Sequence, residues 1–227
     1  MSLQLAGNSE SRSRTYVFGH QAGRYEEGGG PRLCIRAGRG TTTCKQEFTL
    51  HILFVCTGNI CRSPTAERLA AAYAAEEEFS DLRCSSAGTR AVVAHPIHHH
   101  AALVLQGLGG DASNFAARQL TPRICSGADL VLTMTRSHRD AVLERAPGKM
   151  QRTFTLVEAA RLASERNAET IHDLAALRPS LSAGESLDIP DPIGQDADVF
   201  ADVGVQIASL LPPVVELCRR SSTPTAG

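Results

Sequence analysis

The residues best suited to do chemistry in this chain are a cysteine and an arginine separated by five residues, Cys56 and Arg62. Residues 52–55, directly before the cysteine, form a short apolar run of strand-favouring types, which predicts a buried parallel strand. Residues 57–59 permit a tight turn, and Ser63, followed by proline, predicts the N-cap of a helix. The sequence therefore predicts a strand, a tight loop and a helix N-terminus that bring the thiol and the guanidinium to one spot.

A loop of this kind is suited to bind a tetrahedral dianion. Its backbone N–H groups and the helix dipole favour negative charge, and the Arg62 guanidinium can hold two phosphate oxygens at once. The same positive field favours the thiolate form of Cys56, which can attack a bound phosphorus in line and form a cysteinyl-phosphate. Ser63 can donate its hydroxyl to this sulfur and help it leave in the second step. The residues predicted to bind phosphate are Thr57, Gly58, Asn59, Ile60, Cys61, Arg62 and Ser63.

Residues 55–64 resemble the phosphate-binding loop of the low-molecular-weight protein tyrosine phosphatases, bacterial type. That family is separated from unrelated phosphatases and sulfurtransferases with the same cysteine–arginine spacing by two features: the motif follows the first strand, and an Asp-Pro pair lies far downstream. The resemblance implies a phosphomonoesterase that needs no metal and no cofactor, with Cys56 as the nucleophile. Four further stretches resemble the family in the same order: residues 86–89, 117–121, 128–132 and 191–194.

The last of these stretches resembles the general-acid loop of the family and contains Asp191 and Pro192. A carboxylic acid above the phosphate loop can protonate the leaving oxygen and then accept a proton from the attacking water, which contributes typically about 10²–10⁴-fold. Pro192 would stiffen this loop. An ordinary Asp-Pro turn is the alternative, but the cysteine loop upstream favours catalysis. The resemblance also implies that Asn59, Ser63 and Ser86 brace the loop by hydrogen bonds.

Several positions depart from the family pattern. Phe115 stands where many members have a histidine of the bracing network, so part of that network must differ. Val92 and Ile193 stand where many relatives flank the substrate ring with Trp or Tyr, which weakens the expected preference for aryl groups. Ile60 keeps the pocket floor apolar, which suits an aryl group better than a guanidino group. The prediction is a protein tyrosine phosphatase, with a protein arginine phosphatase as the alternative.

Two further alternatives follow from the same residues. A thioredoxin-coupled arsenate reductase on this fold would need two more redox cysteines close together, whereas Cys84 and Cys125 are 41 residues apart. A phosphate-binding adaptor that has lost catalysis is the other alternative. The intact set of Cys56, Arg62 and Asp191 argues against it.

Composition limits the kinds of partner that the protein is expected to bind and predicts its cellular location. The net charge is −1, so bulk electrostatics favour neither nucleic acid nor a membrane surface. The predicted partner is a phosphorylated protein or a small phosphate monoester, and the oligomeric state is left open. The seven cysteines are irregularly spaced, and the first thirty residues lack an apolar signal core, which together predict a reducing cytoplasm. His95, His98, His99 and His100 are clustered without a cysteine or carboxylate at ligand spacing, so no metal site is expected.

The pattern of apolar residues predicts an α/β fold: a three-layer sandwich with a four-stranded parallel sheet flanked by helices and the phosphate-binding loop after the first strand. Residues 49–220 are predicted to form this domain. Residues 1–48 are glycine-rich with almost no apolar periodicity, so we expect a disordered extension, and residues 221–227 a disordered tail. The predicted later strands are 82–86, 130–134 and 153–156, and the predicted helices are 63–78, 97–108, 137–145, 157–176 and a last one interrupted at Pro212 and Pro213.

Overall fold

The computed structural model describes the backbone of residues 32–37 and 41–46, and residues 49–181 and 186–222 in full. The chain divides into two compact units, residues 1–46 and 47–227. In the first unit, β1 (Arg32–Ala37) and β2 (Thr41–Gln46) form an antiparallel pair, and the consecutive threonines of β2 favour a strand. The structure thus contains two strands where the sequence predicted disorder. The rest of the predicted extension lies outside the described residues, as does most of the predicted tail, so disorder there stays a prediction.

The second unit is built on four parallel strands, as the sequence predicted. They are β3 (Leu50–Cys56), β4 (Leu82–Gly88), β5 (Leu130–Thr133) and β6 (Thr153–Thr155), in the spatial order β4-β3-β5-β6. Every residue of β3 is buried, which explains its continuous apolar sequence. The chain leaves β3 for a neighbour on one side and then crosses to β5 on the other. The carboxyl end of β3 is therefore the switch point of the sheet, where open α/β folds form their ligand crevice.

Helices cover both faces of this sheet. Ile52, Phe54 and Cys56 of β3 face the larger core cluster, and Leu53 and Val55 face the smaller one. The larger cluster is covered by α1, α2, α5, α6 and α7, and the smaller one by α3 and α4. The bounds are α1 Arg62–Glu76, α2 His99–Gly107, α3 Pro122–Ser126, α4 Arg136–Arg145, α5 Leu156–Glu165, α6 Ile171–Leu177 and α7 Ala197–Ser222, with short 3-10 turns at Pro147–Arg152 and Arg178–Ser180.

Two helix predictions were wrong. The single helix expected over 157–176 is split into α5 and α6, because the chain turns at Asn167 with φ 53° and α6 begins with its own capping box between Thr170 and Asp173. The last helix continues through Pro212 and Pro213 instead of being interrupted there. Both prolines lie toward the surface, where the carbonyls that they leave unpaired can face water, while the apolar residues around them remain packed in the core.

By length and composition, α7 is apolar enough to cross a membrane. It nevertheless buries Phe200, Val203, Ile207 and Leu211 in the larger core cluster. A core helix passes the same test of length and hydropathy, so this property of α7 is weak evidence for a membrane span.

Candidate active site

The cysteine loop joins the end of β3 to the start of α1, as the sequence predicted. Asn59 in the middle of the loop is fully buried and has a φ of 57°, a left-handed conformation that asparagine tolerates better than most residues. The predicted N-cap was wrong, because the cap position is Cys61 and Ser63 lies inside the first turn of α1. The Ser63 hydroxyl does not cap the helix, since it is hydrogen-bonded to Cys56 and Asn59.

Cys56 presents its sulfur to hydrogen-bond donors of this loop. The side chain is 2% exposed, its Sγ lies 2.9 Å from Ser63 Oγ, and the Asn59 backbone N–H donates to Sγ at 3.3 Å. The Cys56 sulfur is thus held in place by groups of its own loop.

The side-chain amide of Asn59 organises this region. Its Oδ1 accepts the backbone N–H of Arg118 at 2.9 Å, and because a backbone N–H can only donate, this contact fixes which way the amide points. The Nδ2 therefore faces Ser63 Oγ at 2.9 Å and Ser86 Oγ at 2.7 Å. The sequence expectation that Asn59, Ser63 and Ser86 lie together is met by these contacts.

Glu67 ends this chain of hydrogen bonds, and the sequence analysis did not predict its place in the network. Ser86 Oγ donates to Glu67 Oε2 at 2.6 Å. Burial raises the pKa of the Glu67 carboxyl above its ordinary value, against the effect of the Ser86 hydrogen bond. Phe115, at the position where a histidine was expected, instead lies under the Arg68 guanidinium with 5.7 Å to its ring centroid. A signal was available, because Glu67 lies four residues after Ser63, on the same face of α1.

Arg62 is buried at 3% exposure and binds two oxygens of the segment 189–193, which contains Asp191 and is called the acid loop below. Its Nη1 donates to the backbone carbonyl of Ile189 at 3.0 Å, and its Nη2 pairs with Asp191 Oδ2 at 2.5 Å. Its Nε is buried without a hydrogen-bond partner among the described residues. The edge formed by Nε and Nη2 is therefore the one suited to two phosphate oxygens, with Asp191 giving up its place on Nη2.

The acid loop is fastened to the sheet close to the cysteine loop. The backbone N–H of Ile189 donates to the carbonyl of Met134, just after β5, at 2.8 Å. Asp191 keeps 45% of its side chain exposed, and its Oδ1 accepts the backbone N–H of Ile193 at 3.3 Å. Pro192 lies between these two residues and limits the backbone freedom of the loop. The structure thus brings Asp191 to Arg62 across 129 residues of sequence.

A cavity of about 210 Å³ opens above the loop. This volume is smaller than that of most small-molecule sites, so it suits one side chain with its phosphate rather than an extended ligand. Its walls are apolar on one side, where Ile60 and Val92 both lie near Gly58. The lining residues are Cys56, Thr57, Gly58, Ile60, Cys61, Arg62, Arg90, Val92, Asp191 and Ile193.

Two buried titratable side chains lie beside the cavity: His138, which the sequence did not predict, and Cys61, which it placed in the phosphate loop. His138 of α4 is buried, and its Nε2 lies 2.8 Å from Thr57 Oγ1 while its Nδ1 lies 2.8 Å from Thr135 Oγ1. Burial, followed by the charge of Arg62, lowers the pKa of His138 to about 4, so it is neutral at physiological pH. Cys61 is buried as well, and burial together with the nearby Cys56 raises the pKa of its thiol to about 12.

The histidine cluster packs around an aromatic ring instead of converging on one point. His98 stacks on Phe200 with ring centroids 4.8 Å apart, and His100 meets the same ring edge-on at 5.1 Å. Within the described residues, no group of three or more His, Cys, Asp or Glu is arranged to hold a metal ion.

The chain is similar to known phosphatases in both sequence and structure. Residues 51–173 match the family described as low molecular weight phosphotyrosine protein phosphatase, a range that includes the cysteine loop and ends before Asp191. A protein-arginine-phosphatase of Geobacillus stearothermophilus is 30% identical over 165 residues, which cover 73% of this chain and 93% of that protein. The low molecular weight protein-tyrosine-phosphatase Wzb of Escherichia coli strain K12 is 41% identical over 97 residues, 43% of this chain and 63% of Wzb. The crystal structure of a low molecular weight protein tyrosine phosphatase from T. tengcongensis aligns with a TM-score of 0.60 and 29% identity, covering 74% of this chain and 98% of that chain.

Proposed function

The chain belongs to the low molecular weight phosphotyrosine protein phosphatase family, whose members are phosphoric monoester hydrolases, and on that premise we propose that it dephosphorylates phosphotyrosine in proteins. The observation that carries the proposal is the meeting of Cys56, Arg62 and Asp191 at one cavity of side-chain size. In this proposal Cys56 is the nucleophile, Arg62 binds the phosphate, and Asp191 is the acid and then the base.

In the first step the Cys56 thiolate attacks phosphorus while the bond from phosphorus to the tyrosine oxygen breaks. The electron pair of that bond passes to the phenolic oxygen, which takes a proton from the protonated carboxyl of Asp191. Arg62 and the N–H groups of the loop hold the equatorial oxygens, on which charge is spread in the transition state. The product is a cysteinyl-phosphate and a neutral tyrosine.

In the second step a water attacks the phosphorus of the cysteinyl-phosphate and transfers a proton to the Asp191 carboxylate. The bond between sulfur and phosphorus breaks, and its electrons return to Cys56 as a thiolate. The Ser63 hydroxyl, 2.9 Å from this sulfur, donates a hydrogen bond that stabilises the leaving thiolate. The reacting groups in these two steps belong to the chain, the substrate or water, so the proposed mechanism requires no metal and no cofactor.

The walls of the cavity support a tyrosine substrate. Ile60, Val92 and Ile193 present apolar surface to the space above the loop, which favours burial of an aromatic ring. They lack the additional stabilisation of about 0.5–1.5 kcal/mol that an aromatic pair would give, so we expect measurable but unexceptional activity on phosphotyrosine. Phosphoserine, which has less apolar surface to bury, should be a weaker substrate.

A protein arginine phosphatase is the second candidate, and one observation favours it. The Geobacillus relative with that name aligns over 93% of its length. Against it, a guanidino group brings N–H donors that need acceptors, and Asp191, the only carboxylate that lines the cavity within residues 49–181 and 186–222, is paired with Arg62. We therefore rank phosphotyrosine first.

The location and partners of the protein belong to the same proposal. A phosphorylated protein is the partner that membership of this family supports. Buried free thiols at Cys56 and Cys61 favour the reducing cytoplasm, where such thiols persist. The described cysteines also argue against an arsenate reductase, because Cys84 packs against the larger core cluster and Cys125 lies in the smaller one, on opposite faces of the sheet.

The decisive experiment compares matched phosphotyrosine and phosphoarginine peptides with the wild-type protein and two variants. Cys56→Ser should lose essentially all hydrolysis and still bind vanadate. Arg62→Lys should lose most activity, because a point charge does not reproduce the planar fork of arginine. Circular dichroism and thermal unfolding confirm that both variants are folded.

The outcomes separate the candidates. Faster cleavage of the phosphotyrosine peptide supports the proposal, and a clear preference for phosphoarginine replaces the substrate while leaving the cysteine chemistry intact. Near-normal turnover by either variant would contradict the mechanism itself.

A further inference from the structure

One wall of the cavity is tied to the cysteine loop by three successive backbone hydrogen bonds. The wall is the segment 89–92, directly after β4. Thr89 N–H donates to the carbonyl of Cys56 at 2.9 Å, Arg90 N–H to that of Thr57 at 3.0 Å, and Val92 N–H to that of Gly58 at 2.9 Å. The wall therefore keeps a fixed position relative to the nucleophile.

A side chain braces the same wall from the next segment of the chain. Gln119 Oε1 accepts the Ala91 backbone N–H at 3.0 Å, and Gln119 Nε2 donates to the carbonyl of Thr89 at 3.0 Å. At the start of the wall, a Cβ on Gly88 would lie 2.5 Å from the Thr57 carbonyl oxygen, so the close approach of the two backbones requires glycine. Gln119 thus holds residues 89 and 91, and the cysteine loop holds residues 89, 90 and 92.

Arg90 projects from this fixed wall and lines the cavity with Cys56 and Arg62. It is exposed, whereas Cys56 and Arg62 are buried, so it lies at the rim and not at the floor. Its side chain has no hydrogen bond or ion pair with any residue that the structure describes. Other arginines nearby are engaged: Arg136 with Asp188, and Arg62 with Asp191.

Among the described residues, Arg90 is the one cation of the lining whose side chain has no partner. Arg62 and Asp191 pair with each other, and the Cys56 sulfur is held by hydrogen bonds of its own loop. A phosphorylated residue seated on the loop would carry its neighbours in the peptide past the rim. The rim therefore presents an accessible guanidinium, carried by a fixed backbone, close to where the residues that flank the phosphorylated one would lie.

We propose that Arg90 is a specificity-determining residue that binds the carboxylate of an aspartate or glutamate next to the phosphorylated residue of a protein substrate. This proposal rests on the proposed function, since it assumes a phosphorylated protein in the cavity. The contact is an exposed arginine–carboxylate pair, so its expected effect on kcat/KM is modest, about two- to fivefold. It acts on binding, and it appears mainly in KM.

The test is a coupling experiment between the protein and its substrate. Two pairs of peptides are made, one pair with phosphotyrosine and one with phosphoarginine, and within each pair the flanking residue is Glu or Gln. We expect the wild-type protein to prefer the Glu peptide. Arg90→Ala should lower kcat/KM for the Glu peptide about two- to fivefold more than for the Gln peptide, and Arg90→Glu should reverse the preference.

Two controls define the effect. Arg123→Ala removes an exposed arginine on α3 that does not line the cavity, and it should leave the Glu-to-Gln ratio unchanged. Raising the salt concentration to roughly 0.5 M should shrink the wild-type ratio, because ions screen exposed charges. If the role of Arg90 were structural, Arg90→Ala would lower kcat/KM for both peptides of a pair alike, and the Glu-to-Gln ratio would not depend on the salt concentration.

Two results overturn the inference. If Arg90→Ala lowers kcat/KM equally for both peptides, Arg90 acts on the transferred phosphate or on the fold and not on a neighbouring carboxylate. If the wild-type protein shows no preference for Glu, the contact is absent. Failure of the tyrosine assignment is read separately, from the comparison of the phosphotyrosine pair with the phosphoarginine pair.

Discussion

Asn59 and Ser63 are joined by a hydrogen bond of 2.9 Å whose direction is fixed from outside the pair. The Arg118 N–H occupies Asn59 Oδ1, so Asn59 must donate to Ser63 Oγ through Nδ2. Ser63 then has its own proton free to point at Cys56. The same reasoning makes Ser86 accept from Asn59 and donate to Glu67. The Arg118 N–H thus sets the order of donors and acceptors up to the sulfur, and the half-buried carboxylate of Glu67 accepts at the other end.

Asn59→Asp tests this order of donors. The substitution keeps a residue that tolerates a positive φ. It replaces the Nδ2 group, which carries two N–H donors, with a carboxylate oxygen that can only accept. Ser63 would then donate to residue 59 instead of Cys56, and the added charge would disfavour the thiolate. We expect kcat/KM at neutral pH to fall at least about tenfold, with the alkaline shift in its pH profile that a weaker thiolate gives.

Asn167→Asp is the matched control for this prediction. Asn167 also has a positive φ, 53°, but it is exposed and remote from the cavity lining. It should leave the pH profile unchanged. An unaltered profile in Asn59→Asp would show that the amide only holds the backbone.

Asp191→Ala tests the general acid. The variant should slow hydrolysis of phenyl phosphate far more than that of an ester with a very acidic leaving group, because the latter needs little protonation. Rates on the two esters give the answer directly. Asp188→Ala, which removes an adjacent carboxylate paired with Arg136, serves as the control. Equal losses on both esters in Asp191→Ala would mean that Asp191 is not the acid.

Cys61→Ser tests protection against oxidation. Peroxide converts an accessible thiolate to a sulfenic acid, and a neighbouring thiol can displace water from it to form a disulfide that thiols later reduce. We expect the wild-type protein to form a Cys56–Cys61 disulfide and recover activity in dithiothreitol. The raised pKa of Cys61, about 12, keeps this thiol protonated at neutral pH, so peroxide should oxidise Cys56 and not Cys61 in the first step.

The variant should therefore recover less activity after the same peroxide dose, as measured by residual turnover and mass spectrometry of Cys56. Cys84→Ser, which alters a cysteine outside the loop, should behave like the wild type. Full recovery of Cys61→Ser would show that Cys61 only packs beneath the loop.

His138→Gln tests the acid dependence of stability. The pKa of His138 is lowered from 6.5 to about 4 in the folded protein, so between these values the unfolded chain binds more protons and stability falls as pH falls. The wild type should lose up to about 3 kcal/mol through this group between pH 6.5 and 4. In urea titrations the variant should show a shallower loss, and His172→Gln, at an exposed position, should follow the wild type.

Local patterns predicted the sheet and the cysteine loop, because strand propensity and turn chemistry act over a few residues. The network around Asn59 was only partly predictable, since it depends on contacts between distant segments. Arg118 and His138 carry no local signal of their roles: each becomes important because the fold places it beside a particular oxygen. The N-cap assigned to Ser63 failed for a different reason, because its hydroxyl is engaged by Cys56 and Asn59 of the same loop.

The ion pair between Arg62 and Asp191 makes the protein its own competitive inhibitor. Inorganic phosphate, the product of the second step, needs the same Nη2 that Asp191 occupies. Each departing phosphate is therefore displaced by a carboxylate that is always present at high effective concentration. The same carboxylate opposes the phosphate of the substrate, so the ion pair weakens the binding of substrate and product alike while it speeds product release.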